Sequence, residues 1–139
     1  MSKVEDMLAI QQVIAQYSYT FDSRDAAGWV NLFTEDAVWE SYRGFENTPA
    51  NRLEGRAAMR TWADGMMLRR AEGSLNYHHQ SGILFDELTA NTAKTRAMAI
   101  ITAQDSADQP VRINRSGIYR TQWVKTPQGW RIQHCMLGS

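Results

Sequence analysis

Residues 75–104, LNYHHQSGILFDELTANTAKTRAMAIITAQ, decide the fold: two runs rich in β-branched and aromatic residues flank a polar turn at residues 86–91. Runs of this kind, separated by turn-forming residues, are typical of antiparallel β-strands. The pattern continues downstream, with further turn signals at residues 105–110 and 126–129. The sequence therefore predicts four long strands, at about residues 75–86, 91–104, 111–125 and 129–137.

Upstream of this stretch, apolar residues recur every three or four positions, which is the spacing of a helix that packs one face on a core. The first such stripe consists of Met7, Ile10, Val13, Ile14, Tyr17 and Phe21. It follows the sequence Ser2-Lys3-Val4-Glu5, which fits a capping box. A helix is therefore predicted to begin at this point.

Shorter elements are expected between this helix and the long strands. They are a short helix capped by Asp25 and running through Phe33, a strand at 37–42, a loop at 43–54 and a third helix at about 56–70. Helices followed by a meander of strands form an α+β pattern. We expect a single domain over residues 1–139, with about three helices packed on the concave face of a curved, antiparallel or mixed sheet. Such a cone encloses one ligand-sized apolar pocket.

Composition excludes several classes of function. Fifteen Lys and Arg balance fifteen Asp and Glu, which argues against a nucleic-acid partner and against a polybasic membrane anchor. One cysteine, Cys135, and three histidines are too few ligands for a closed structural zinc site. The chain has no run apolar enough to span a bilayer, and its beginning is acidic. We therefore expect a cytoplasmic protein that uses no metal and no cofactor.

Six short motifs follow one another along nearly the whole chain. They are YSYTFD at 17–22 with Asp25 and Trp29, LFTEDAVW at 32–39, GRAA at 55–58, HHQSG at 78–82, GIY at 117–119 and GWRI at 129–132. In this order they resemble the SnoaL-like group of the nuclear transport factor two-like superfamily, and the resemblance implies a cone-shaped α+β fold. The superfamily includes dehydratases, a dehydrochlorinase, isomerases, cyclases, an epoxide hydrolase and non-catalytic binding modules. The fold therefore does not choose among these functions.

The dehydratase and dehydrochlorinase branches carry an Asp at the end of the first helix and a His on the first long strand. The matching positions here are Asp22 and His78, so the resemblance implies a pair that removes a proton from carbon. A neutral imidazole can accept that proton near neutral pH, and a carboxylate on its other nitrogen fixes the tautomer and stabilises the imidazolium. A capping role for Asp22 and a structural role for His78 are the alternatives.

Further candidates line the expected pocket. Tyr17 would lie deeper than Asp22 and donate a hydrogen bond to a carbonyl or leaving oxygen, and the bile-acid and scytalone dehydratases carry similar tyrosines. The candidates for substrate binding are Trp39, Met66, Met98 and Tyr119, with His79 in reserve because a β-bulge would turn it inward. Ordinary core packing is the alternative for these apolar and aromatic residues.

Polar residues of the last two strands give weaker signals. Asn114, Arg115 and Arg131 can bind a carboxylate or carbonyl if one of them reaches the cone interior, and surface exposure is their alternative. His134 would lie at the pocket mouth or in solvent. The final strand reads QHCML at residues 133–137 and lacks the acidic base that the cyclase branch places there. This departure argues against aldol cyclase chemistry.

Two hypotheses follow. The first is a small cofactor-independent lyase or isomerase, dehydratase-like, which acts on an apolar cyclic or polyketide-like molecule with His78 as base, Asp22 as its orienting partner and Tyr17 as hydrogen-bond donor. The second is a non-catalytic module of the same fold that binds a small molecule or serves in assembly. The resemblance also implies a homo-oligomer, dimer or trimer, with Tyr77 and Trp123 as candidate exposed aromatics of an apolar interface.

Overall fold

A computed structural model describes residues 2–139 and contains three helices and six strands. In chain order, the elements are α1 (Lys3–Asp22), α2 (Ala26–Val30), β1 (Phe33–Ser41), β2 (Asn51–Glu54), α3 (Arg56–Arg69), β3 (Leu75–Leu88), β4 (Thr92–Gln104), β5 (Arg112–Thr126) and β6 (Gly129–Gly138). The first helix, the third helix and the four long strands confirm the sequence prediction. Within residues 2–139, no helix combines the length and the apolar character that crossing a membrane requires.

Helix α1 positions Asp22, one of the two predicted catalytic residues. It begins as expected, because the Ser2 hydroxyl accepts a hydrogen bond from the Glu5 amide at 3.2 Å. Its buried stripe runs through Ile10, Ile14, Tyr17 and Phe21 to the core. Asp22 is the last helical residue, and the chain turns directly after it. The Asp22 side chain is consequently presented where the helix meets the sheet.

The six strands form one mixed sheet in the order β2-β1-β6-β5-β4-β3. The pair β1–β6 is parallel and the other pairs are antiparallel. The helices pack on one face, which we call the inner face, and the sheet does not close on itself. The predicted α+β architecture is therefore confirmed, with an open sheet rather than a closed barrel.

Two of the shorter elements differ from prediction. Phe33 was expected in the second helix but begins β1, where it is fully buried and pairs with Ile132 of β6. The loop expected at 43–54 ends in strand β2, which pairs with residues 38–41 of β1. Both elements exist because of pairing with distant segments, which local propensity does not report.

The face of the sheet opposite the helices, the outer face, exposes large apolar side chains. Tyr77, Met98 and Ile100 project from it and are each about half exposed. Trp123, expected on an exposed face, is instead 1% exposed and donates from Nε1 to the Thr95 hydroxyl at 2.9 Å. The expectation for Trp123 was wrong because strand alternation in β5 turns it toward the helices.

Candidate active site

A cavity of about 380 Å³ opens between the inner face of the sheet and helices α1 and α3. This volume lies at the lower end of the range for small-molecule sites. The apolar and aromatic part of its wall consists of Tyr17, Phe21, Trp39, Trp62, Met66, Ile101, Tyr119 and Leu137. The polar part consists of Ser41, Arg69, Arg70, Asn51, Asn76, His78, Asn114 and Arg115. The cavity therefore suits a small, largely apolar molecule that carries a few polar groups.

Asp22 and His78 form a two-point contact at the cavity wall. The Asp22 Oδ1 atom lies 2.6 Å from His78 Nδ1, and Oδ2 accepts the His78 backbone amide at 2.8 Å. Both side chains are almost buried, with 9% of His78 and 8% of Asp22 exposed. Because both oxygens are held, the carboxylate fixes the position of the strand as well as the orientation of the ring.

This contact determines which nitrogen of His78 can act on a ligand. A carboxylate only accepts hydrogen bonds, so the short contact requires a proton on Nδ1. Nε2 of the neutral ring then carries the lone pair, and it belongs to a side chain that lines the cavity. The rings of Tyr17 and Phe21 meet the imidazole edge-to-face, with centroids 6.3 and 5.4 Å from its own, and restrict its orientation. The arrangement presents a positioned base.

Two buried tyrosines line the cavity beside this base. The Tyr17 hydroxyl accepts a hydrogen bond from Trp39 Nε1 at 2.9 Å, which orients the phenol and leaves its proton for a second acceptor. Its ring packs edge-on against Tyr119 at 5.2 Å. Burial raises the pKa of Tyr17 and of Tyr119 well above the ordinary value. Both phenols therefore stay protonated in neutral solution, as hydrogen-bond donors.

The structure brings most of the predicted site residues together. Tyr17, Trp39, Met66, His78 and Tyr119 all line the cavity, and Asp22 is held against His78. These positions agree with the roles that the sequence suggests. The roles themselves stay predictions.

Two predicted pocket residues face away from the cavity. Met98 lies on the outer face and is 56% exposed, while His79 Nε2 contacts the Thr102 hydroxyl at 3.0 Å on that face. No bulge reverses the direction of His79, which was held in reserve for that case, because β3 becomes irregular only after Ser81. In β4, strand alternation turns the side chain of Ala97 to the inner face, so the side chain of the next residue, Met98, lies on the outer face.

Of the polar candidates on the late strands, Asn114 and Arg115 reach the cavity. Arg131 does not line it and donates instead to the Trp130 carbonyl at 3.0 Å. His134 lies neither at the mouth nor free in solvent, because its Nε2 contacts Glu40 Oε1 at 3.0 Å. The sequence therefore did not show which of these polar side chains reach the cavity, because that depends on how β5 and β6 are placed in the sheet.

Glu40 is the centre of a second polar cluster, which does not line the cavity. Its side chain is 5% exposed and accepts hydrogen bonds from Tyr42, Arg52 and His134. Burial raises the pKa of Glu40, but the bonds from Tyr42 and His134 and the charge of Arg52 outweigh it and hold the pKa below the ordinary value. Glu40 is thus a structural anion that ties β1, β2 and β6.

Sequence reasoning missed several residues of the cavity wall. Asn76 precedes His78 by two positions on one strand, so the period of two placed it on the inner face. That signal was available. Trp62 and Arg69 lie on α3, four positions before and three positions after the predicted pocket residue Met66, so the helical period placed them on the same face. Within residues 2–139, no three His, Cys, Asp or Glu side chains converge as a set of metal ligands.

Comparison with known structures agrees with this architecture. A protein of unknown function from Mycobacterium tuberculosis, solved as an Asp-to-Asn variant, is 28% identical with a TM-score of 0.79, over 97% of this chain and 76% of that chain. A protein with a cystatin-like, nuclear transport factor two-like fold from Novosphingobium aromaticivorans is 25% identical with a TM-score of 0.81, over 97% and 82% of the two chains. A scytalone dehydratase-like protein from the same organism is 26% identical with a TM-score of 0.76, over 96% and 83%.

The family assignment comes from the sequence itself. The profile of the SnoaL-like domain matches residues 2–136, so the chain belongs to the SnoaL-like family. This confirms the resemblance carried by the six motifs. No curated protein matches the chain.

Proposed function

We propose that this protein is a cofactor-independent lyase or isomerase that abstracts a proton from carbon in a small, apolar, cyclic or polyketide-like molecule. The observation that carries the proposal is the contact between Asp22 and His78 at the wall of a cavity. His78 acts as the base, and Asp22 orients it. Tyr17 donates a hydrogen bond to a substrate oxygen.

The chemistry follows from the geometry. Nε2 of His78 takes a proton from a carbon next to a carbonyl, and the electron pair of the C–H bond moves toward that carbonyl, whose oxygen accepts a hydrogen bond from Tyr17. In a dehydration, the C=C bond then forms as the adjacent C–O bond breaks. The departing hydroxide takes the proton back from the imidazolium and leaves as water. Asp22 stabilises the imidazolium in between.

The family supports the proposal at a coarser level. One similar structure is that of a scytalone dehydratase-like protein, and elimination of water is consistent with a dyad of this kind. The alternative is a non-catalytic binding module of the same fold. A histidine held by a carboxylate in the wall of an open cavity favours the enzyme, because a binding module needs the cavity but not an oriented base.

The test is a screen of cyclic β-hydroxy ketones for elimination, together with hydrogen–deuterium exchange at the α-carbon of cyclic ketones in D₂O. We expect His78→Ala to lower turnover by about 10²–10⁴-fold, the usual contribution of a positioned base. His79→Ala is the matched control, because His79 is adjacent in sequence but faces away from the cavity. If His78→Ala turns over like the wild type, His78 is not the base. If the wild type acts on none of these compounds, the binding module becomes the better description.

We also propose that the protein forms a homo-oligomer through the outer face of the sheet. The support is the set of exposed apolar side chains there, which includes Tyr77, Met98 and Ile100. Light scattering coupled to size exclusion measures the mass directly. Met98→Lys is expected to reduce the assembly to monomers, and an assembly that keeps its mass in this variant contradicts the proposed interface.

A further inference from the structure

One row of residues crosses the inner face of the sheet. His78 of β3 pairs with Ile101 of β4, and Ile101 pairs with Arg115 of β5. All three line the cavity. Because neighbouring strands lie about 4.8 Å apart, the backbones of the base and the arginine are separated by about 10 Å. A molecule of one or two rings, lying over Ile101, spans the space between their side chains.

Arg115 is held in place by backbone oxygens rather than by an acid. Its Nη2 donates to the carbonyls of Tyr42 and Leu137, the latter at 3.2 Å. Within residues 2–139, no carboxylate oxygen lies within 4 Å of the guanidinium. Its Nε and Nη1 hydrogens have no bond to any residue of that range. The cation is therefore fixed on one edge and has unused donors on the others.

The charges around the cavity are unbalanced. Three arginines, Arg69, Arg70 and Arg115, line it. The carboxylate nearest the base is that of Asp22, and both of its oxygens are already held by His78. Arg70 lies over the ring of Phe21, with 5.3 Å from its Cζ to the centroid. Arg115 is the arginine that shares a row with the base, so it is the one placed to receive a charged group of the same ligand.

We propose that Arg115 binds an anionic oxygen of the ligand, so that the substrate class is that of ring compounds bearing a carboxylate or an ionised enol or phenol. A guanidinium with adjacent free N–H groups matches a carboxylate in shape and charge. The apolar part of the molecule lies over Ile101, and its acidic carbon faces His78. This substrate class rests on the proposed function, whereas the anion site does not.

The test compares two probes of the same shape, 2-naphthoate and 2-naphthamide, by isothermal titration calorimetry. For the wild type we expect the acid to bind at least about tenfold more tightly than the amide, since only the acid forms charge-assisted hydrogen bonds. Arg115→Gln should remove this preference, because glutamine carries no charge and its side chain ends two bonds short of the terminal guanidinium nitrogens. Arg115→Lys should keep part of it.

Control variants separate binding at Arg115 from a general effect of positive charge on the protein. Arg120→Gln removes a charge from the same strand on the outer face, and its preference should equal that of the wild type. His78→Ala should also keep the preference while losing turnover, so failure of catalysis and failure of anion binding give different results. Thermal melts establish that each variant is folded.

Three outcomes contradict the anion site. The first is equal affinity of the wild type for acid and amide, and the second is no binding of 2-naphthoate at all. The third is a preference that survives Arg115→Gln and disappears in Arg69→Gln, which would assign the anion to helix α3 instead. Loss of the preference in Arg115→Gln alone supports the site even if no turnover is found in any variant.

Discussion

Replacing Asp22 with Asn tests the site at its most constrained contact. The carboxylate accepts two bonds, from His78 Nδ1 at 2.6 Å and from the His78 backbone amide at 2.8 Å. The asparagine amide has one acceptor oxygen and one NH₂ donor where the carboxylate has two acceptor oxygens. If its oxygen accepts the backbone amide, its NH₂ faces Nδ1, and the ring must carry its proton on Nε2. If it turns the other way, two N–H groups oppose each other, and one bond is lost.

Each orientation of the asparagine side chain predicts a measurable loss of turnover or of stability. Moving the proton to Nε2 converts the base into a donor, so turnover should fall by about 10²–10⁴-fold with little change in KM. Losing one charge-assisted hydrogen bond should lower the free energy of unfolding by about 1.5–3 kcal/mol. For a chain of this length, that corresponds to a fall in Tm of about 5–10 °C.

Three measurements check this reasoning. Long-range ¹⁵N–¹H spectra report the tautomer of His78, which should change from Nδ1–H to Nε2–H in Asp22→Asn if the asparagine oxygen accepts the backbone amide. Thermal unfolding and the exchange assay report stability and turnover. Asp25→Asn is the matched control, because Asp25 caps α2 through the Gly28 amide and asparagine caps equally well. An Asp22→Asn variant with unchanged turnover and an unchanged Nδ1–H tautomer would refute the assigned role.

Further predictions concern other contacts. Trp39→Phe removes the hydrogen bond to Tyr17 while keeping an aromatic wall, so we expect turnover to fall several-fold and the effect to vanish in a Tyr17→Phe background. The pKa of Glu40 is held below its ordinary value, so its contribution to stability is present above about pH 4.5 and is lost as pH falls through the lower, folded value. Urea midpoints at pH 7 and pH 3 should therefore differ less in Glu40→Gln than in the wild type, whereas the exposed Glu54→Gln should keep the wild-type difference. Burial raises the pKa of the Cys135 thiol to about 12, so a thiol reagent at pH 8 should react in urea and not with the native protein. Fast labelling of the folded chain would contradict that burial.

Much of the fold could be predicted because its signals are local. Apolar residues recur within a few positions in the helical stripe that includes Ile10 and Phe21, and again in the alternating runs after Leu75. Such a recurrence shows that one face of the helix or strand is buried. Phe33 and strand β2 were assigned incorrectly, because what makes them strands is pairing with β6 and β1, far away in the chain. Local propensity contains no information on that pairing.

The site was predictable in part. Asp22 and His78 could be named from motifs, and Tyr17 from its place on the same helix. Met98 was a wrong candidate because apolar character does not show which face of a strand a side chain occupies. Arg115 could only be named as one of three polar candidates, since its direction depends on the register of β5 against β4.

The sequence by itself determined the order and kind of the long elements, the family, and the identity of the His–Asp pair. Only the tertiary structure decided that the two residues touch across 56 positions, that Trp123 is buried, and that Arg115 shares a row with His78. The reason is physical. Periodicity is a property of neighbouring residues, whereas register, facing and the shape of a cavity arise from packing between segments that are distant along the chain.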